Sequence, residues 1–219
     1  MTKPHDAYFE DFGLSGLTKY FRHPVARNTA AGLDLAGTLT ERYGPVYVQD
    51  ILTDIQRLAP LPDEVLNTLW LAATEAYVDP VSEGYDIRTW LGRIADICVT
   101  RIRQNDPSLI SAAPAPEPDP DLREAVLAEI RETAPALTEK AVTSIYAAPL
   151  PDVTPALERA VTEVDPDLGF RLYLRALKAY FVPISEARYD RFISLGERFG
   201  YHELVVDDGN LNIWSDLVD

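Results

Sequence analysis

VDPDLGFRLYLRALKAYFVP, residues 164–183, reads as a helix with almost no solvent face. Asp165 suits the N-cap, Pro166 the first helical position, and Asp167 complements the helix dipole. Phe170, Tyr173, Leu174, Leu177 and Phe181 then recur at helical spacing, and Leu172, Ala176 and Tyr180 widen that face. Arg171, Arg175 and Lys178 are the polar exceptions, at i, i+4 and i+7. A helix this apolar belongs at the centre of a fold, and Pro183 stops it.

An earlier stretch echoes it. Val78-Asp79-Pro80 repeats Val164-Asp165-Pro166, and Ile87-Arg88-Thr89-Trp90-Leu91 repeats the pattern of Phe170-Arg171-Leu172-Tyr173-Leu174. Ala59-Pro60-Leu61-Pro62-Asp63 recurs as Ala148-Pro149-Leu150-Pro151-Asp152, while Leu33, Ala36 and Arg42 align with Leu122, Ala125 and Arg131. Matches in the same order at a nearly constant offset point to an internal duplication. It predicts equivalent helices around Trp90 and Tyr173, both core residues.

Helical segments fill the rest of the chain. Asn28 caps a helix that ends near Gly44, Pro45 opens one carrying Ile51, Leu52, Ile55 and Leu58, and Pro62-Asp63-Glu64 starts a third. A fourth places Ile87, Trp90, Leu91, Ile94, Cys98 and Ile102 on one side. Beyond Ser111–Asp121, whose alternating prolines favour an extended spacer, the pattern predicts helices over 121–133, 136–147, 155–164, 166–182 and 185–199. Short Gly and Pro punctuation implies antiparallel hairpins. The fold class is therefore all-α, in two similar halves. Residues 1–27 form an aromatic-rich N-terminal segment, 28–110 the first half, 111–121 the linker, 122–200 the second half and 201–219 an acidic tail. In that tail Leu204-Val205-Val206 and Leu211-Asn212-Ile213-Trp214 flank Asp207-Asp208-Gly209-Asn210, which predicts a short β-hairpin.

The net charge of −15 over 219 residues is uneven. Residues 1–110 carry ten Lys and Arg against fifteen Asp and Glu, residues 111–219 ten against twenty, and no basic residue follows Arg198. Such a surface repels nucleic acid and anionic membrane and attracts a basic partner, although acidity also serves solubility. No stretch has the apolar length of a membrane span, and the N-terminus lacks the apolar run of a signal peptide, which predicts a cytoplasmic protein. The lone Cys98 excludes an internal disulfide and reads as a small core residue.

Chemistry-bearing motifs are missing from the sequence. His5, His23 and His202 have no metal-ligand spacing, no phosphate loop or dinucleotide fingerprint occurs, and Gly13-Leu14-Ser15-Gly16 lacks the spacing of a nucleophile elbow. Asp207-Asp208-Gly209-Asn210 lacks the alternating ligands of a calcium loop and reads as a turn. Neither a cofactor nor a metal is implied. Two candidate binding features stand out. One is the basic stripe of Arg171 and Arg175, echoed by Arg88, Arg101 and Arg103, which suits a phosphate or acidic peptide or pairs with neighbouring acids. The other is Trp214 among Asp207, Asp208 and Asp216, an aromatic anchor ringed by like charges. The expected function is a non-enzymatic protein-binding module facing a basic protein, such as an immunity protein or antitoxin set against a toxic nuclease. An enzyme or small-ligand protein with a pocket between the halves, or an adaptor subunit, is the alternative.

Overall fold

A computed structural model describes residues 10–22, 28–105, 119–145 and 148–217. His5, His23, Tyr8, Phe9 and most of the 111–121 linker lie outside them. Among the described residues the chain is all-α apart from two short strands. Helix α1 spans Gly13–Thr18 and runs into a 3-10 turn at Lys19–Arg22. Then follow α2 (Thr29–Arg42), α3 (Pro45–Leu58), α4 (Asp63–Thr74) and α5 (Ile87–Asn105). After the linker come α6 (Pro120–Thr143), α7 (Val153–Arg159) with a π turn at Ala160–Val164, and α8 (Pro166–Ala179). Strand β1 (Pro183–Ser185), α9 (Glu186–Phe199), α10 (Glu203–Val206) and β2 (Asn212–Trp214) complete it.

Helix α8 is the centre of the fold. It packs against α1, α4, α6, α7 and the π turn, and every residue from Leu168 to Ala179 is buried. Its start is as expected: the Asp165 carboxylate accepts the N–H of Asp167 at 2.8 Å and Pro166 fills the first turn. Gly169 lets the π turn come close, for a Cβ there would lie 2.4 Å from Val161 Cγ2. Trp90 and Tyr173 are both fully buried. Trp90 meets Trp70 and Phe21 edge-on, and the Tyr173 hydroxyl donates to the Glu129 carbonyl.

Three expectations need correction. Residues 121–133 and 136–147 are not two helices: α6 is continuous to Thr143 with Pro135 inside it. Pro135 is exposed, so its ring meets solvent, and burial of Ile130, Thr133, Leu137 and Ala141 on the opposite face keeps the helix together across the lost hydrogen bond. Helix α8 ends at Ala179 rather than 182. Phe181 takes a left-handed φ of 49°, the Val182 N–H returns to the Leu177 carbonyl, and the Phe181 side chain turns out of the core to 54% exposure.

The third correction is the tail. No hairpin joins Leu204–Val206 to Leu211–Trp214. Residues 203–206 coil into α10, capped by His202 Nδ1, because the consecutive Val205 and Val206 are both buried and a strand would send them to opposite faces. The loop after it turns on Asp207, whose Oδ1 accepts the N–H groups of Gly209, Asn210 and Leu211. Strand β2 instead pairs in parallel with β1, with Ile184 opposite Ile213 and Ser185 opposite Trp214. This ribbon packs on α9, which supplies the support a two-stranded unit needs.

The repeated blocks differ in local structure. Each Ala-Pro-Leu-Pro-Asp block leads into a helix, α4 or α7. Pro166 opens α8, whereas Pro80 enters a turn in which Asp79 accepts the Ser82 N–H. Residues 29–58 form two helices where 120–143 form one. The duplication itself stays a proposal of the sequence.

Candidate functional site

The basic stripe of α8 faces inward. Arg171 and Arg175 are each 2% exposed and Lys178 1%. Arg171 forks onto Asp54 of α3, with Nη1 to Oδ2 at 2.8 Å and Nη2 to Oδ1 at 2.9 Å, and its Nε reaches Asp167 at 3.1 Å. Nη1 also donates to the Phe12 carbonyl and Ser15 Oγ, and the Leu14 N–H donates to Asp54 Oδ2. Burial alone lowers the basicity of Arg171, but Asp54 and Asp167 outweigh it and hold the guanidinium charged. Arg175 Nε donates to the Ala73 carbonyl at the end of α4. Of the two ways to satisfy such a stripe, Arg171 takes internal ion pairing, and neither guanidinium is offered at the surface.

Gly13 explains how the N-terminal segment sits here. Its φ is +62°, and a Cβ on it would lie 2.1 Å from Asp54 Oδ2 and 2.9 Å from Arg171 Nη1. The backbone therefore lies directly on the buried pair. Asp11 hangs beside the same row of cations, its carboxyl raised by burial against the pull of Lys178, Ser15, Arg171 and Arg175. Tyr201 closes the far side through a hydrogen bond from its hydroxyl to the Asp167 carboxylate.

The tail acids divide by role. Asp208 points inward and bridges Lys19 at 2.7 Å and Lys178 at 3.3 Å. Burial raises its carboxyl, but Lys178, the Lys19 and Asn210 hydrogen bonds and the Lys19 charge outweigh that and hold it well below the usual carboxylate range. Asp207 is occupied by its own turn. Of the three Asp residues chosen from the sequence, Asp216 alone is exposed. Trp214 does not fold back to seal the core. It is 52% exposed, and its Nε1–H donates to Asn212 Oδ1 at 2.8 Å, while Asn212 Nδ2 donates to the Phe181 carbonyl at 2.8 Å. The indole is thus propped outward from the ribbon. Ile213 and Leu217 beside it are also partly exposed.

Register adds an acid the tail sequence did not show. Ser185 lies opposite Trp214, so the exposed Glu186 follows directly after the end of the ribbon. Further along, the Tyr189 hydroxyl is raised by burial and then by the charges of Asp207, Glu203 and Asp190.

Two spaces bear on a small-ligand role. Where Leu172 of α8 meets Leu14, Leu58, Leu66, Trp70 and Leu91, the enclosed apolar space is about 10 Å³, room for one water at most. A larger open groove of about 410 Å³ runs between α6 and α9, past Ala125, Glu129, Arg191 and Leu195. It belongs to residues 122–200 alone, and its Glu129 is already held by Arg188 at 2.9 Å and by Arg191. Among the described residues no three His, Cys, Asp or Glu gather as a metal site requires, and no helix is long and apolar enough to cross a membrane. Burial pushes the Cys98 thiol up to about 12, which leaves it unreactive at neutral pH. Compared with known proteins, the chain matches no family model, no curated protein and no solved structure.

Proposed function

We propose that the chain is a protein-binding module whose docking face is the C-terminal ribbon and whose partner is a basic protein. The observation that carries this reading is Trp214. An indole more than half exposed, yet fixed by a hydrogen bond to its own strand, presents a large apolar surface with little conformational entropy left to lose. Glu186, Glu203 and Asp216 are exposed nearby or in the same tail, and the chain as a whole is strongly negative. Charge of one sign around an aromatic anchor favours fast association with a positive surface. A toxic nuclease, whose active surface is positive because it must hold phosphate, is the partner class that fits an antitoxin or immunity role.

The test uses wild-type protein and Trp214→Ala as baits in a lysate of the source organism, read by mass spectrometry, followed by kinetics with the captured protein. A basic protein retained by wild type should bind the variant more weakly by about 2 kcal/mol, roughly thirtyfold. Lysine at Glu186, Glu203 and Asp216 together should slow association, and added salt should slow the wild type. Capture that ignores Trp214, with an association rate indifferent to charge and salt, overturns the reading.

A further inference from the structure

The docking face ends in a strand edge. The sheet has two strands, and among the described residues the far edge of β2 meets no third strand. Proteins commonly shield such edges with a lysine, a proline or a covering loop. Asn212-Ile213-Trp214 contains neither lysine nor proline, and the turn after it reaches the strand only where the Leu217 N–H meets the Trp214 carbonyl at 3.4 Å. The ribbon is parallel and only three residues long, so it has few hydrogen bonds of its own. Successive side chains of β2 project to opposite faces: Trp214 stands on one at 52% exposure and Ile213 on the other at 37%. An added strand would therefore find an apolar contact on each face. Glu186 and Asp216 stand beside the end of the ribbon, where they match positive side chains and repel negative ones.

We propose that β2 takes up an extended, lysine- or arginine-bearing segment of the basic partner as a third strand. This rests on the docking function assigned above to the same face, and it specifies how the partner is held: main-chain hydrogen bonds along β2 for affinity, Trp214 and Ile213 for packing, and the flanking carboxylates for charge selection. A second copy of this chain is disfavoured as the occupant, because it would bring another net charge of −15 to the same edge.

The experiment titrates the full-length, nitrogen-15-labelled protein with three synthetic peptides: alternating Lys-Val, the same peptide N-methylated at alternate residues, and alternating Glu-Val. The Lys-Val peptide should shift and protect the amides of residues 212–214. The N-methylated peptide keeps charge and side chains but loses hydrogen bonding along one edge, so it should bind at least about tenfold more weakly. The Glu-Val peptide should leave the spectrum unchanged. Equal binding by the N-methylated peptide, or shifts confined to the acids of α9, overturns strand addition. So does concentration-dependent self-association that perturbs the same amides without peptide. A basic protein whose capture depends on Trp214, but which leaves the 212–214 amides unprotected, sinks strand addition and leaves the docking function standing. Capture independent of Trp214 sinks the docking function itself.

Discussion

Asp54 and Arg171 form a buried pair that the sequence half-disclosed. Arg171 was visible as a charge on an apolar helix. Asp54 carried the same signal, since it lies between Ile51 and Leu58 on the inward face of α3. Removing one member leaves the other charged and dry, so Asp54→Ala should cost about 3–5 kcal/mol in urea unfolding. Combining it with Arg171→Met should recover part of that loss, because neither member of the pair then stays buried and charged without the other. Asp208 behaves differently because Lys19 keeps it near solvent. Asp208→Asn should cost about 1–3 kcal/mol at neutral pH by removing the carboxylate that bridges Lys19 and Lys178. The sign of its pH dependence follows from a carboxyl held below its unfolded value of about 3.9. The stabilisation is complete above that value and disappears as pH falls toward the lower folded one. The gap between wild type and Asp208→Asn, followed by urea midpoints, should be constant from pH 7 to about 5 and close only in stronger acid.

Helix α6 shows where element boundaries escaped local rules. A proline after Thr133-Ala134 reads as a stop, yet the helix passes through it because its buried face continues on both sides. Pro135 is exposed, so replacing it alters little packing. Pro135→Ala restores a donor to the Arg131 carbonyl and should stabilise the protein by up to about 3 kcal/mol, read as a higher melting temperature. A lower melting temperature would show that the helix geometry Pro135 imposes is needed for α6 to pack on both α7 and α8.

Across the whole molecule both ends of the described chain converge on α8. Phe12, Gly13 and Leu14 lie on the Asp54–Arg171 pair, while Tyr201 and Asp208 reach Asp167 and Lys178 from the other side. Surface acids thus coexist with a buried row of cations paired to carboxylates. The three tryptophans report on this arrangement, since Trp70 and Trp90 are buried and Trp214 is exposed. Collisional quenching of fluorescence should reach Trp214 alone, and the quenched component should vanish in Trp214→Phe. Caesium should quench it better than iodide at low salt, and the difference should shrink as salt screens the acidic field. Iodide quenching equal to caesium at low salt would contradict an acidic environment for the indole.

Local signals alone carried the helical class, the central place of the helix that opens at Pro166, the core assignments of Trp90 and Tyr173, and the caps at Asn28 and Asp165. These follow from spacing and from single residues acting on their own backbone, which the chain carries locally. Such signals could not determine the pairing of β2 with β1, the union of α6, the outward turn of Phe181 or the inward turn of Asp208. Each depends on what another part of the chain offers: a parallel partner nearly thirty residues earlier, a hydrophobic bed under a proline, or two lysines from the 3-10 turn and α8 that one carboxylate can bridge. Trp214 lay between the two kinds of evidence. Composition marked it as an anchor or a core plug, and only the ribbon, by fixing Asn212 against Phe181, directed the indole to solvent.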